Sequence, residues 1–468
     1  MTAVPEAARV RGELPFLARS AAGSVWIGAA ILVGLAIPAL LNERSGSFAS
    51  LILVGLAVGV ALAVLAFARP EPVFVAAFLL LAVVRIEPAP VDIVFALLII
   101  ATLSKKRSFA HVPPLVGLGL CLFGVLTIAS LLNAPDQKRA LVFEFQTLYL
   151  IVLGLWLSGM FENGKLMRKA LQAYVIAGIA SALIAIIALK IAFPGRSVFL
   201  LDPERPKALF KDPNVLGPFL VPAAAIMLEE VVRPRLFRWG ARRSLLALMV
   251  LSSGVVFSFS RAAGLNLAIA LTTVILIYAA RARGVAATAR SIGAIAVCAL
   301  AGLALLTATG SLGFLESRSH LEAYDQQRFG TQGEALQRAS EHVLGHGPGE
   351  SETELAYSAH SLYARVAYEQ GYIGEALLIG ILAATLLAAV GLAARDRDLF
   401  GLGSAALLGS WLGLLANSFF VDTLHWRHLW VFAALIWCAS VLRSQEDLRA
   451  EPTQESSQAG DLAPEAAV

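Results

Sequence analysis

Read for apolar and polar positions, the chain is a series of long apolar runs cut by short polar connections. The runs cover residues 23–41, 47–68, 72–84, 89–104, 112–133, 140–161, 168–193, 215–232, 244–259, 262–280, 288–309, 361–393, 399–418 and 427–443. Most are long enough to cross a hydrocarbon core as helix, which takes about 20 residues. The runs are continuous and do not alternate, which excludes a β-barrel. The pattern predicts an all-α polytopic membrane bundle of about twelve to fourteen transmembrane helices. The 72–84 run is short and flanked by proline, and the 361–393 run is long enough for its first turns to stand above a bilayer.

One break is far longer than the rest. Between residues 310 and 360 the chain turns polar, with helical spacing of apolar residues in LEAYDQQRF and GEALQRASEHVL and a Gly-His-Gly-Pro-Gly turn at Gly345–Gly349. The expected organisation is a membrane domain over 1–450 carrying this 310–360 insert, followed by a disordered cytoplasmic tail over 451–468 that is rich in small and polar residues. A membrane protein with a single such insert tends to work there.

Composition agrees with the pattern: of 468 residues, 58% are hydrophobic and only 15% charged, so a soluble globule is excluded. The net charge of +4 gives no reason to expect nucleic acid. Where the basic residues fall is more informative, because short cytoplasmic loops collect Lys and Arg. With the N-terminus inside, the inside loops hold Lys105-Lys106-Arg107, Lys165/Arg168/Lys169, Arg233/Arg235/Arg238/Arg242/Arg243 and Arg281/Arg283/Arg290. The insert then lies outside the cytoplasm. Two basic clusters break the rule, one at 196–211 and one in the insert. The cysteines Cys121, Cys298 and Cys438 lie in apolar runs with no Cys/His spacing, so neither disulfides nor a metal site is expected.

Three segments carry candidate chemistry. In ERPKALFKDPN, Arg205, Lys207 and Lys211 precede a helix start at which Asp212 or Asn214 is placed to cap. In FSFSRAAG, Ser260-Arg261 separates two apolar runs with almost no loop, where an arginine either snorkels or grips a phosphate. In AYSAHSLYARVAYEQG, His360 stands just before a helix start and titrates in the range a general base needs. His346, inside the glycine turn, is a weaker rival. His425 and His428 flank Arg427 at a further helix start on the same side. The runs after Asn214, Arg261 and His360 all enter the membrane from that side, so each directs a partly positive helix N-terminus at it. If they converge, the ligand is a phosphate or pyrophosphate, attached to a lipid.

These segments resemble the O-antigen ligase/polymerase family of bacterial envelope glycosyltransferases. The resemblance rests on Arg205 nine residues before Asn214, on Ser260-Arg261, on Gly345–Gly349, and on His360-Ser361-Leu362 with Gly371-Tyr372-Ile373-Gly374. It covers roughly 195–375. It departs from the family pattern at Leu209 and at Ser361. The resemblance implies metal-independent, inverting transfer of a glycan from undecaprenyl diphosphate to a hydroxyl acceptor: lipid A-core, a second glycan or another anchor. No cofactor is implied. The site would lie on the outer face of the bacterial inner membrane. Arg205 and Arg261 would hold the diphosphate, helped by Lys207, with Asn214 and Ser260 beside them and Arg328 and Arg338 as further basic residues. His360 would orient or deprotonate the acceptor. The alternative is a transporter or flippase for an anionic lipid-linked substrate. That reading expects ionisable residues at mid-membrane and repeated halves, and neither is visible in the sequence.

Overall fold

The computed structural model describes residues 59–103, 109–281, 285–319 and 323–450. The expected run at 23–41, most of the run at 47–68 and the tail at 451–468 lie outside them. The chain divides into two compact units, Met1–Ala68 and Arg69–Val468. Of the first, only the apolar helix Gly59–Ala68 is described. Everything below concerns the second.

The second unit is almost entirely helical: α1 Pro70–Leu80, α2 Pro90–Thr102, α3 Pro114–Ser130, α4 Gln137–Met160, α5 Gly164–Lys190, α6 Pro213–Val232, α7 Ala241–Phe257, α8 Arg261–Ala280, α9 Val285–Ala308, α10 Leu312–Ser319, α11 Ala323–Arg338, α12 Leu362–Ala394, α13 Ser404–Asn417 and α14 Arg427–Ala450. The only strands among the described residues, β1 Leu200–Asp202 and β2 Arg205–Pro206, form a small antiparallel hairpin. Among the described residues, seven helices are long and apolar enough to cross a membrane. The chain is an all-α polytopic membrane protein, and within the described residues each apolar run of the sequence corresponds to a helix.

The bundle is organised around α6, whose apolar window is wholly buried. Helices α5, α7, α8, α9 and α13 pack against it. Such close approach needs small residues, as is usual where helices cannot rely on water for a driving force. A Cβ at Gly217 would meet the Ala263 Cβ at 2.5 Å, and one at Gly413 would meet the Asn266 Oδ1 at 2.1 Å. A second apolar layer brings together the rings of Phe74, Phe78, Phe95, Trp156 and Phe161 from α1, α2 and α4 and the turn that follows α4.

The insert departs from the sequence expectation in two ways. Instead of two separate short helices, α11 runs unbroken through Gly330 and Gly333, because Ala335 packs with Leu355, Ala359, Ala364 and Tyr368 and holds it on α12. And α12 is not one straight helix: it breaks at Gly371, whose φ of 70° and ψ of 175° suit glycine. The break leaves carbonyls of the preceding turn without helical partners, and the Gly-His-Gly-Pro-Gly turn supplies them. His346 N–H donates to the Tyr368 carbonyl (2.9 Å), and Gly347 N–H to that of Glu369 (3.0 Å). The His346 ring stacks flat on Tyr368 at 4.1 Å. The glycines are required by contact: a Cβ on Gly345 would sit 2.4 Å from the Glu369 carbonyl oxygen, and one on Gly371 2.3 Å from that of Val343. Gly345→Ala is therefore expected to destabilise by roughly 1–3 kcal/mol from left-handed backbone strain, with the overlap in addition. Gly333→Ala, in the open middle of α11, serves as the neutral control. Melting of the purified full chain checks this, and equal midpoints for the two variants would contradict it.

Candidate functional site

A cavity of about 930 Å³ opens where four helix starts meet the insert. Its walls come from the loop before α6, the first turns of α6, α8, α12 and α14, and α11 of the insert. Of the sequence-predicted residues, Arg205, Asn214, Arg261, Arg328 and His360 line it. Lys207, Ser260 and Arg338 do not.

Arg205 is positioned by the hairpin. An Asx turn, in which Glu204 N–H donates to the Asp202 side chain (3.1 Å), reverses the chain. Val84 N–H then donates to the Leu209 carbonyl (3.0 Å) and fastens the loop to the end of α1. The Arg205 Nε is buried, with no hydrogen-bond partner among the described residues. Two residues before α6, Lys211 reaches Glu87 at 2.9 Å. It, and not Lys207, is the lysine on the cavity. Asp212 caps α6 by accepting from Asn214 N–H at 2.6 Å.

Arg261 is the first residue of α8. Ser260 caps that helix, accepting from Ala263 N–H, so its side chain serves the backbone and not the cavity. The Arg261 guanidinium is ion-paired with Asp325 of α11, tying the insert to the bundle. Three residues on, Arg328 donates to the Phe420 carbonyl in the connection between α13 and α14. Arg338 lies away from the cavity, among Glu334, Glu341 and Glu354 and over the Tyr368 ring.

His360 holds a left-handed backbone, φ 45°, just before the Ser361 cap of α12. Such strain in a non-glycine residue persists only where surrounding structure enforces it. Here Leu362 N–H donates to the Ser418 carbonyl at 2.9 Å and pins the junction. Burial lowers the imidazole pKa below its usual 6.5, and the Arg328 charge lowers it further, against opposition from Asp422, Asp212 and Glu352. The neutral form of the ring is therefore favoured more than in a free imidazole.

Two further cations of the cavity are already compensated. Arg427 grips Asp92 with two donors, at 2.8 and 2.5 Å, and Tyr149 donates to the same carboxylate. Arg365 contacts Asp422 (2.6 Å), Glu369 (3.0 Å) and Glu352 (3.3 Å). Burial works to raise the Asp422 carboxyl pKa, but Arg365 and His425 override it and hold the group well below the usual carboxylate range. His425 and His428 both line the cavity, as their helix-start position suggested. Lys211 was named with its segment but not placed in the site, and the contributions of Asp325, Arg365 and Asp422 were not anticipated. Arg365 and Glu369 stand four apart, a helical spacing, but nothing in the sequence links them to Asp422.

A fold of this kind with a site of this kind defines a multi-pass helical membrane protein with a basic, histidine-containing cavity among its helix starts. No family model matches the chain, and no curated protein matches it.

Proposed function

We propose that the protein transfers a glycan from a polyprenyl diphosphate, such as undecaprenyl diphosphate, to a hydroxyl acceptor at this cavity. The observation that carries the reading is convergence. Arg205, Arg261 and Arg328 share one cavity with a neutral, strained histidine, and they come from segments up to 155 residues apart (Arg205 to His360). Helix starts and guanidinium groups suit a diphosphate, and the buried, unpartnered Arg205 Nε is a donor awaiting an acceptor.

The residues divide the chemistry as follows. A neutral His360 nitrogen accepts the proton of the acceptor hydroxyl as its oxygen attacks the anomeric carbon. The bond from that carbon to the diphosphate oxygen breaks, with inversion, and its electron pair leaves on the diphosphate. Arg205, Arg261 and Arg328 stabilise that developing charge. Asp325 pairs with Arg261, so the arginine is either shared between the carboxylate and the diphosphate or changes partner when the donor binds. The helix break at Gly371, which a transporter would place at its substrate, is instead fastened by the glycine turn and does not line the cavity.

The reading needs the cavity to face away from the cytoplasm, as in a bacterial inner membrane, with lipid A-core or another glycan within reach. Reporters fused near Lys207 and Gly333 are expected to read as extracytoplasmic, and reporters near Arg238 and at the C-terminus as cytoplasmic. A cytoplasmic reading at Gly333 would remove the proposal. The direct test is transfer from a lipid diphosphate donor by the purified chain in detergent or membranes, followed by release of the bare carrier.

A further inference from the structure

We infer that the wall of the cavity formed by Trp426 and His428 is a sugar subsite, separate in chemistry from the arginines that face a diphosphate. The inference rests on the proposed donor class and adds to it where a sugar ring is read.

His428 is the second residue of α14, is 4% exposed and lines the cavity. Its Nε2 is buried, with no hydrogen-bond partner among the described residues. A buried polar atom left unmet is costly, and in a ring that lines a cavity it marks where a ligand atom could be met. The ring cannot turn away to find another partner. Trp426 stacks on one face of it at 5.1 Å, and Phe219 meets it edge-on at 5.7 Å.

The electrostatics of this wall choose the class of ligand. Arg427, the nearest cation in sequence, is hydrogen-bonded twice to Asp92, and the charge of Arg365 is balanced by Asp422, Glu352 and Glu369, although its Nη2 has no hydrogen-bond partner among the described residues. His425 Nε2 lies 3.0 Å from the Thr147 hydroxyl and is also engaged. The wall therefore offers a hydrogen-bonding nitrogen beside aromatic rings, and the cations near it are already balanced by carboxylates. A pyranose suits it: hydroxyls hydrogen-bond in the ring plane, and the C–H face packs on an indole.

The probes are bare undecaprenyl diphosphate and the same lipid carrying one hexose, one N-acetylhexosamine or one 6-deoxyhexose, titrated onto the full-length protein in nanodiscs. The parent is expected to bind at least one glycosylated lipid more tightly than the bare one. His428→Leu, which keeps the volume and removes the nitrogen, is expected to weaken that preferred lipid about tenfold, the loss of one good hydrogen bond, while bare lipid stays within about twofold. Trp426→Ala is expected to act in the same direction, and His428→Gln, which restores a polar atom, to recover part of the loss. Equal weakening of bare and glycosylated lipid, or no weakening in either variant, overturns the subsite and leaves the diphosphate site standing. If the parent binds none of the four lipids, the donor class itself is wrong and the subsite falls with it. Unchanged melting of His428→Leu separates these outcomes from unfolding.

Discussion

His360→Ala is expected to lower turnover about 10²–10⁴-fold, the usual contribution of a positioned general base, with donor affinity nearly unchanged. The residue sits at the start of α12, its backbone pinned by the Leu362–Ser418 hydrogen bond, so the truncation removes the imidazole without freeing the helix. The pH profile provides a second readout. Only neutral His360 accepts a proton, and its pKa lies below 6.5 because of burial first and the Arg328 charge second. Activity is therefore full at neutral pH and falls on acidification through that lowered value. In Arg328→Gln one cause of the lowering is gone, so the acid limb of kcat/KM is expected to move to higher pH. An Ala variant with near-parental turnover would reassign His360 to a structural role. An acid limb that stays put in Arg328→Gln would mean that the residue on the limb is not His360.

Arg261→Ala is expected to cost about 10²–10³-fold in transfer, the scale for losing one preorganised stabiliser of developing negative charge. The guanidinium is held at the first position of α8, with the helix N-terminus behind it and the Asp325 carboxylate beside it. This arrangement fixes a planar fork, and lysine keeps the charge but loses the fork. Arg261→Lys should therefore remain clearly impaired. Arg205→Lys is expected to be milder, because Lys211 also lines that side of the cavity and its charge is near. Asp325→Asn tells competition from support: if the carboxylate competes with the diphosphate, donor affinity rises; if it holds the fork in place, affinity falls. The assay is transfer from a purified lipid diphosphate donor. Parental activity in Arg261→Lys would show that charge alone suffices, and parental activity in Arg261→Ala that the side chain only anchors the insert.

The sequence alone determined the helices. Apolar run length is a local property set by the hydrocarbon core, so the described helices outside the insert were legible, most boundaries to within a few residues, whereas α10 lies in no apolar run and α11 was visible only as two stretches of helical spacing. Arg205, Arg261 and His360 were legible as candidates, because Arg261 and His360 stand at helix starts on one predicted side and Arg205 in the loop that leads to a third. Tertiary structure decided which groups those residues meet. Asp92 lies in an apolar run and becomes intelligible only when Arg427, 335 positions later, arrives to neutralise it. Arg365 looked like half of a helical pair and is instead the centre of a buried cluster with Asp422. Lys207 and Lys211 are alike in sequence; a hairpin register of a few residues puts the second on the cavity and not the first. Arg338 and Arg328 lie on one helix, yet only Arg328 faces the cavity, because α11 is oriented by the packing of Ala335 against Tyr368 and Ala364. The glycine turn, too, was legible only as a turn, and it serves a helix break that only Gly371's backbone reveals. Ion pairs and hydrogen bonds act over a few ångströms, whatever the separation in sequence, so their partners are fixed by packing and not by local pattern.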